Sequence, residues 1–320
     1  MASRRRSTKS HNSATKTEYC SHQNISKELP NPAWFERTRL LYYREIPDWQ
    51  QDNRYILSGY RPTTASAWIS FKSLSFINNQ TINAYSHMVG ALIFIALPFH
   101  FYQNEYLGKA HAHANDFYCI ALYCLCVTLC FMLSALYHIM LNHSPSFLMF
   151  FAKMDYLGVL LLMWGAAIPT INYGFLCHSR LKLFYWSMTT CTALCCGILS
   201  LSPTFSTRKF RIWRASMFAA FGLSAIIFII HGLLLYGWEV QSTRMSLVWM
   251  GWMATFNLVG VTMHVVMIPE RWVPYRFDLY GSSHQIFHTA VLIAACIHYG
   301  GLVAAFQELR SDGKPEAYCS

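Results

Sequence analysis

Between residues 84 and 306, seven apolar stretches alternate with short polar segments. A helix that crosses a bilayer needs about 20 mostly apolar residues. Backbone groups in lipid must bond to one another, so each stretch is predicted to be a helix. The predicted spans are Ala84–Tyr102, Phe117–Leu141, Met154–Tyr173, Leu183–Leu201, Ala215–Tyr236, Met245–Ile268 and Gln285–Phe306. The pattern therefore predicts an all-α membrane protein built as a seven-transmembrane helix bundle.

The chain before the first span is more polar. Residues 33–45 place apolar side chains among charges and can form a short amphipathic helix. Ala67–Ile77 does the same around Lys72, a pattern typical of a helix in the membrane interface. The predicted domains are a disordered, basic N-terminal head at 1–46, a pre-membrane amphipathic segment at 47–83, the helix bundle at 84–306 and a C-terminal tail at 307–320.

The composition agrees with a membrane protein. Hydrophobic residues make up 54% of the chain and charged residues 12%, whereas a soluble domain carries about 25% charged residues. These values exclude an ordinary cytosolic enzyme and a secreted disulfide-rich module, and we expect no nucleic-acid partner. They are compatible with the plasma membrane or the endoplasmic reticulum.

Lys and Arg are unevenly divided between the two sides of the predicted bundle. If the N-terminus is cytoplasmic, 19 of the 25 Lys and Arg residues lie on the cytoplasmic side and 6 lie outside. Cytoplasmic loops are usually richer in these residues. We therefore expect a cytoplasmic N-terminus and an outside C-terminus, an expectation that depends mainly on the basic head and the loop between the fourth and fifth spans.

Ionisable side chains inside spans are costly and mark functional sites. His284 and His288 are four residues apart, so on a helix their rings lie on one face and can share a metal ion. Such pairs are common by chance, and two histidines that contact lipid headgroups are the alternative. A zinc ion would need further ligands to reach four-coordination.

The order of the spans supplies those ligands. His138 ends the second span, Asp155 starts the third and the pair His284 and His288 starts the seventh, so all four lie at the same membrane face. Three histidines leave the fourth zinc position open, as in catalytic zinc sites, and a nearby carboxylate can orient water or accept its proton. Two alternatives remain: a closed zinc site that only joins helices, and an Asp155 that only caps its own helix.

The other histidines carry less information. His87, near the start of the first span, can support the site if it faces the bundle. His264 and the remaining span histidines have no spacing that points to a metal. His111 and His113 lie in a polar loop and are expected to be solvated.

Several blocks of residues together resemble the progestin and adipoQ receptor family, which includes the adiponectin receptors, within the wider haemolysin III-like group. The blocks are Pro47-Asp48-Trp49 with Tyr55 to Pro62, Gln80 to Asn83 with His87, Ser134 to His138 with Asp155 to Gly158, and Pro269-Glu270-Arg271 with His284 to His288. They occur in the family's order over residues 47–300. Two positions depart from the family pattern, Gln80 in place of an acid and Asn142 in place of a Cys.

The resemblance implies a seven-helix fold with a cytoplasmic N-terminus and a zinc ion near the cytoplasmic side. The family's three histidine ligands match His138, His284 and His288, its acid beside the zinc water matches Asp155, and a serine on its second span matches Ser134. Members are described as hormone receptors with ceramidase-type activity, and fungal members are associated with zinc and lipid homeostasis.

Three functions follow as hypotheses. The first is zinc-dependent amide hydrolysis of ceramide-like lipids, with the lipid or its fatty acid inside the bundle, Asp155 and Ser134 as the catalytic pair, and a link to signalling in lipid and zinc homeostasis. The second is a signalling receptor for an extracellular protein or lipid, with a structural zinc ion and no hydrolase activity. The third is a channel or transporter, for which the paired Gly or Pro breaks typical of such folds are missing.

Overall fold

The computed structural model describes residues 39–205 and 210–311 of the chain. The greater part of the predicted head (residues 1–38) and of the predicted tail (residues 312–320) lies outside the described residues. Within them there is no β-strand, only an isolated bridge between Leu41 and Tyr60. The predicted all-helical bundle is therefore confirmed for the part of the chain that the structure describes.

Nine α-helices occur in the described ranges. They are α1 Ala67–Lys72, α2 Thr81–Phe101, α3 Ala114–Met140, α4 Pro145–Gly174, α5 Ser179–Leu201, α6 Arg211–Leu223, α7 Ala225–Arg244, α8 Leu247–Val266 and α9 Ser283–Leu309. A short 3-10 turn, Ser73–Ser75, continues α1, and a π-helical turn, Tyr102–Tyr106, continues α2. The short helix α1 and its 3-10 turn cover most of the predicted amphipathic stretch before the bundle.

Six helical stretches of the described chain are long and apolar enough to cross a membrane. They are Thr81–Tyr106, Ala114–Met140, Pro145–Gly174, Ser179–Leu201, Ile212–Arg244 and Ser283–Leu309. The remaining predicted span is α8, which carries the polar residues Asn257 and His264 and falls outside this set. Its 20 residues still extend over about 30 Å, the thickness of a bilayer core.

Helix α3 is central to the packing, since α2 and α4 both lie against it. Helix α9 closes the bundle by packing against α8 and α2. The interior between α2, α3 and α9 is filled by aromatic rings, including Phe94, Phe131 and Phe306. By contrast, Leu92 (66%), Leu234 (81%) and Leu258 (69%) are exposed on the outside of the bundle. A soluble protein rarely exposes so much apolar surface. Apolar side chains on the outside of the bundle are expected of helices that face lipid.

A mostly irregular segment, with one short 3-10 turn at Asp48–Gln50, covers the end of the bundle at which α3 ends and α9 begins. We call residues 39–66 the cap segment. Leu41 and Tyr60 exchange backbone hydrogen bonds across it, with N–O distances of 2.7 and 3.1 Å. The suggested amphipathic helix at 33–45 is wrong for its described part, because residues 43–45 form a turn and Leu41 pairs with Tyr60 instead.

Two buried acids bind the cap segment to the loop before α9. The Asp278 carboxylate accepts hydrogen bonds from the Leu57 amide (3.1 Å) and the Ser58 hydroxyl (2.6 Å). The Glu270 carboxylate accepts one from the Asn53 side-chain amide (2.9 Å). Buried carboxylates are stable only when they are paired or hydrogen-bonded, so these contacts fix the path of the cap segment.

Candidate metal centre

The histidine pair lies in the first turns of α9, and a buried acid holds the start of that helix. The first amides of a helix have no partner within it. Glu270 accepts hydrogen bonds from the Ser283 amide (2.7 Å) and from the Ser283 hydroxyl. A carboxylate at a helix N-terminus is also favourable for the helix dipole. Glu270 therefore fixes the position from which His284 and His288 extend.

The third histidine comes from the last turns of α3. His138 is buried, and its backbone carbonyl accepts a hydrogen bond from the Arg61 guanidinium of the cap segment. Arg61 also donates to the Ile139 carbonyl (3.1 Å) and the Ser73 hydroxyl (2.6 Å). Burial lowers the pKa of Arg61 to about 10, so the side chain stays charged at neutral pH. The cap segment thus supplies a cation to the carbonyl end of the helix that carries His138.

These three histidines meet at one point. The Nε2 atom of His288 lies 3.1 Å from Nε2 of His138 and 3.0 Å from Nε2 of His284. One ligand atom from each ring lies within 4.8 Å of the other two, an arrangement that can hold a metal ion. His138 and His288 are buried and His284 is half-buried, so any opening to the cluster is on the side of His284.

The residues fit a cation better than they fit one another. His138 Nδ1 lies 2.8 Å from the Gln80 side-chain oxygen and donates its hydrogen there, so the inward nitrogen of this neutral ring, Nε2, carries none. The three inward Nε2 atoms can therefore form few N–H···N hydrogen bonds with one another. A metal ion at the meeting point would accept the lone pairs of the three inward Nε2 atoms.

Asp155 and Ser134 lie beside this cluster and outside it. Helices α3 and α4 are antiparallel and touch closely, since a Cβ on Gly158 would lie 3.0 Å from the Cys130 Cα atom. One turn closer to the histidine cluster, Ser134 of α3 and Asp155 of α4 face each other, and their side chains are within hydrogen-bonding reach. Ser134 is one turn from His138 on α3, about 6 Å away along the helix axis.

The alternative reading of Asp155 as a helix cap is wrong. Helix α4 begins at Pro145, with the Ser144 hydroxyl accepting a hydrogen bond from the Phe147 amide (3.4 Å). Asp155 is therefore inside the helix, and the predicted start of the third span at Met154 was nine residues too late. Helix capping therefore does not explain why an ionisable side chain lies within this span.

Two more histidines contact the cluster. His87 of α2 is buried and stacks on His288, with ring centroids 3.8 Å apart, so it does face the bundle. His264 of α8 contacts His284 edge-on, with centroids 4.6 Å apart. The sequence reasoning missed His264. The signal was available, because the end of the sixth span and the start of the seventh lie at the same membrane face.

Comparisons with known proteins agree with this arrangement. The family model described as haemolysin-III related matches residues 76–299. Adiponectin receptor protein from Drosophila melanogaster is 32% identical over 277 residues, which cover 87% of this chain and 62% of that protein. ADIPOR-like receptor IZH2 from Saccharomyces cerevisiae is 33% identical over 271 residues, which cover 84% of each chain.

Plant proteins match as well. Heptahelical transmembrane protein 1 from Arabidopsis thaliana is 31% identical over 274 residues, which cover 82% of this chain and 80% of that protein. The shared region of all three relatives therefore includes most of the helix bundle described above. The chain spans less than two thirds of the fly protein and most of the yeast and plant proteins. It belongs to the haemolysin-III-related family, as an adiponectin-receptor-like heptahelical membrane protein.

Proposed function

We propose that this protein is a zinc-dependent hydrolase of ceramide-like lipid amides. The observation that carries the proposal is the meeting of three histidine nitrogens beside the Ser134–Asp155 pair, inside a bundle whose outer surface is apolar. Three histidines with an open fourth position are the ligand set of many catalytic zinc sites. A lipid amide is a suitable substrate because the site lies between helices rather than in a water-exposed cleft.

His138, His284 and His288 hold the metal in this proposal. When bound, zinc supplies Lewis acidity that polarises the amide carbonyl and makes nearby water more acidic. Asp155 accepts a proton from the water that attacks the carbonyl carbon. As the carbon–nitrogen bond breaks, Asp155 passes that proton to the leaving amine, so the products are a fatty acid and a sphingoid base. Ser134 donates a hydrogen bond that orients Asp155 or the substrate.

The relatives' names favour a second candidate. The fly and yeast proteins are named as receptors. In that alternative the same three histidines hold a structural zinc ion, and an extracellular protein or lipid ligand acts on the bundle without hydrolysis. In either case we propose a plasma-membrane or endoplasmic-reticulum protein with a cytoplasmic N-terminus, which places the metal site near the cytosolic leaflet.

The test uses the purified full chain in lipid nanodiscs. Bound zinc is measured by elemental analysis, and fatty acid release from ceramide is measured by mass spectrometry. We expect about one zinc ion in the wild type and loss of zinc in His138→Ala, His284→Ala and His288→Ala. Asp155→Asn should keep the zinc and lose at least about 100-fold in hydrolysis rate, the usual contribution of a general base.

His100→Ala is the matched control, because His100 is an exposed histidine at the opposite end of α2. It should keep both zinc and activity. The hydrolase proposal fails if zinc-loaded wild type releases no more fatty acid than Asp155→Asn. Ligand-dependent signalling that survives Asp155→Asn and disappears in His284→Ala would then favour the receptor.

A further inference from the structure

The side chain of Gln80 contacts a metal ligand directly. Gln80 immediately precedes α2, and its Oε1 atom lies 2.8 Å from Nδ1 of His138. The same oxygen accepts a hydrogen bond from the Asn83 side-chain amide at 3.0 Å. An amide oxygen can only accept, so the hydrogen of the neutral His138 ring is on Nδ1. The other nitrogen, Nε2, is then left with a lone pair.

That lone pair points into the histidine cluster. His138 Nε2 is the atom that lies 3.1 Å from His288 Nε2. A metal ligand must present an unprotonated nitrogen, and which nitrogen that is depends on the hydrogen bond made by the other one. The contact with Gln80 therefore selects the only tautomer of His138 that can bind a metal at this point.

The Gln80 side chain does not cap the helix that it precedes. A polar residue at a helix start commonly caps the first amides, but Gln80 makes no side-chain cap hydrogen bond. It is instead held in place from two sides. The Asn83 amide donates to its side-chain oxygen, and its backbone amide donates to the Asn78 side chain at 3.0 Å. A side chain that is fixed in this way also fixes the plane of the ring that it contacts.

We propose that Gln80 is a positioning residue for the metal site: it accepts the Nδ1 hydrogen of His138 and so directs Nε2 toward the metal. The inference rests on the zinc binding proposed above. In this role Gln80 acts through His138, so its removal should weaken metal binding first and affect hydrolysis only through the metal. Replacing such an outer partner of a metal ligand usually costs about 10–100-fold in metal affinity.

Three variants of the full chain separate this role from a general effect on folding. Gln80→Met keeps the length of the side chain and removes the acceptor. Gln80→Glu keeps an acceptor at the same place. Gln103→Met is the matched control, because Gln103 is exposed in the π-helical turn at the other end of the same span. Zinc affinity is measured by competition with a chelator, and the visible spectrum of the cobalt-substituted protein reports the ligand geometry.

We expect Gln80→Met to bind zinc about 10–100-fold more weakly and to change the cobalt spectrum, while Gln80→Glu and Gln103→Met keep wild-type affinity. Nitrogen NMR of labelled histidine in the metal-free protein should show the Nδ1–H form of His138 in the wild type and a mixture of tautomers in Gln80→Met. Unchanged zinc affinity in Gln80→Met overturns the positioning role alone, as does a Gln80→Glu variant as weak as Gln80→Met. A wild type that binds no zinc overturns the proposed function as well.

Discussion

Arg61 shows how a single side chain of the cap segment can affect the proposed metal site. Its buried guanidinium bonds to the carbonyls of His138 and Ile139 and to the Ser73 hydroxyl. We expect Arg61→Met to destabilise the folded protein by about 1.5–3 kcal/mol, the usual value for hydrogen bonds to a charged group. Zinc affinity should fall too, because the end of α3 would lose its anchor.

Denaturation in detergent micelles, followed by the fluorescence of the tryptophans, measures the stability change. Arg61→Lys keeps the charge but cannot form the forked contact, so it should lie between Arg61→Met and the wild type. If Arg61→Met is as stable as the wild type and binds zinc equally well, the guanidinium has no anchoring role and this interpretation is wrong.

Single residues also mark the limit of what the sequence could predict. His138, His284 and His288 could be grouped in advance, because helical spacing and the order of the spans place them at one membrane face, and the structure brings them together. Gln80 and Arg61 could not be assigned partners in the same way. Their contacts depend on the course of non-helical segments, and periodicity carries no information about such segments.

At the scale of helices, the packing of α3 against α4 depends on glycine. A Cβ on Gly165 would lie 2.5 Å from the Cys126 Cβ atom, and one on Gly158 would lie 3.0 Å from the Cys130 backbone. Alanine at either position must push the helices apart. We expect a loss of about 1–3 kcal/mol in stability for each variant, as in other overpacked cores. Gly158→Ala should also reduce hydrolysis, because it separates Ser134 from Asp155.

Gly251→Ala is the control for these variants, since a Cβ there meets nothing within 4 Å. Alanine favours a helix over glycine, so this variant should be as stable as the wild type or up to about 1 kcal/mol more stable. Thermal unfolding in micelles measures all three. Equal midpoints for Gly165→Ala and Gly251→Ala would mean that the close contact between α3 and α4 does not limit stability.

Hydrophobic stretches located the helices well and their ends less well. Helix α4 starts at Pro145, with Ser144 as its N-cap and Pro145 in its first turn, although the predicted span begins at Met154. The predicted fifth span is two helices, α6 and α7, which join at Ser224. Its predicted end at Tyr236 agrees with Gly237, whose φ of 75° interrupts the helix. Hydropathy indicates which residues would contact lipid. The ends of a helix depend instead on its backbone hydrogen bonds, which continue beyond the apolar stretch.

At the scale of the whole molecule, the histidine cluster depends on closure of the bundle. His138 is on α3 and the other two histidines are on α9, so the proposed metal site forms only when the last helix packs beside the first ones. At the opposite end a buried ion pair strengthens the same closure. Arg310 donates two hydrogen bonds to the Asp116 carboxylate, at 2.8 and 3.0 Å, and so joins the end of α9 to the start of α3.

The distribution of Lys and Arg predicts the orientation of the molecule in the membrane. Among the described residues, the exposed cations Lys72 and Arg271 lie at the end of the bundle that carries the histidine cluster. Counted along the sequence, 19 of the 25 Lys and Arg residues fall in segments on the N-terminal side of the predicted spans and 6 on the other side. The positive charge that sets orientation is therefore concentrated on the side of the histidine cluster. We expect this end, with the N-terminus, to be cytoplasmic and the C-terminus to be outside.

Epitope tags at the two termini test this orientation in the cells that express the protein. In intact cells, added protease should remove a C-terminal tag exposed at the cell surface and spare the N-terminal tag. In sealed microsomes, whose outer face is cytosolic, protease should instead remove the N-terminal tag and spare the C-terminal one. Glycosylation gives an independent readout, since Asn24-Ile25-Ser26 is an acceptor sequence for N-linked glycans. With a cytoplasmic N-terminus Asn24 stays unmodified, and a mobility shift removed by glycanase and lost in Asn24→Gln would place the head and the metal site on the opposite side.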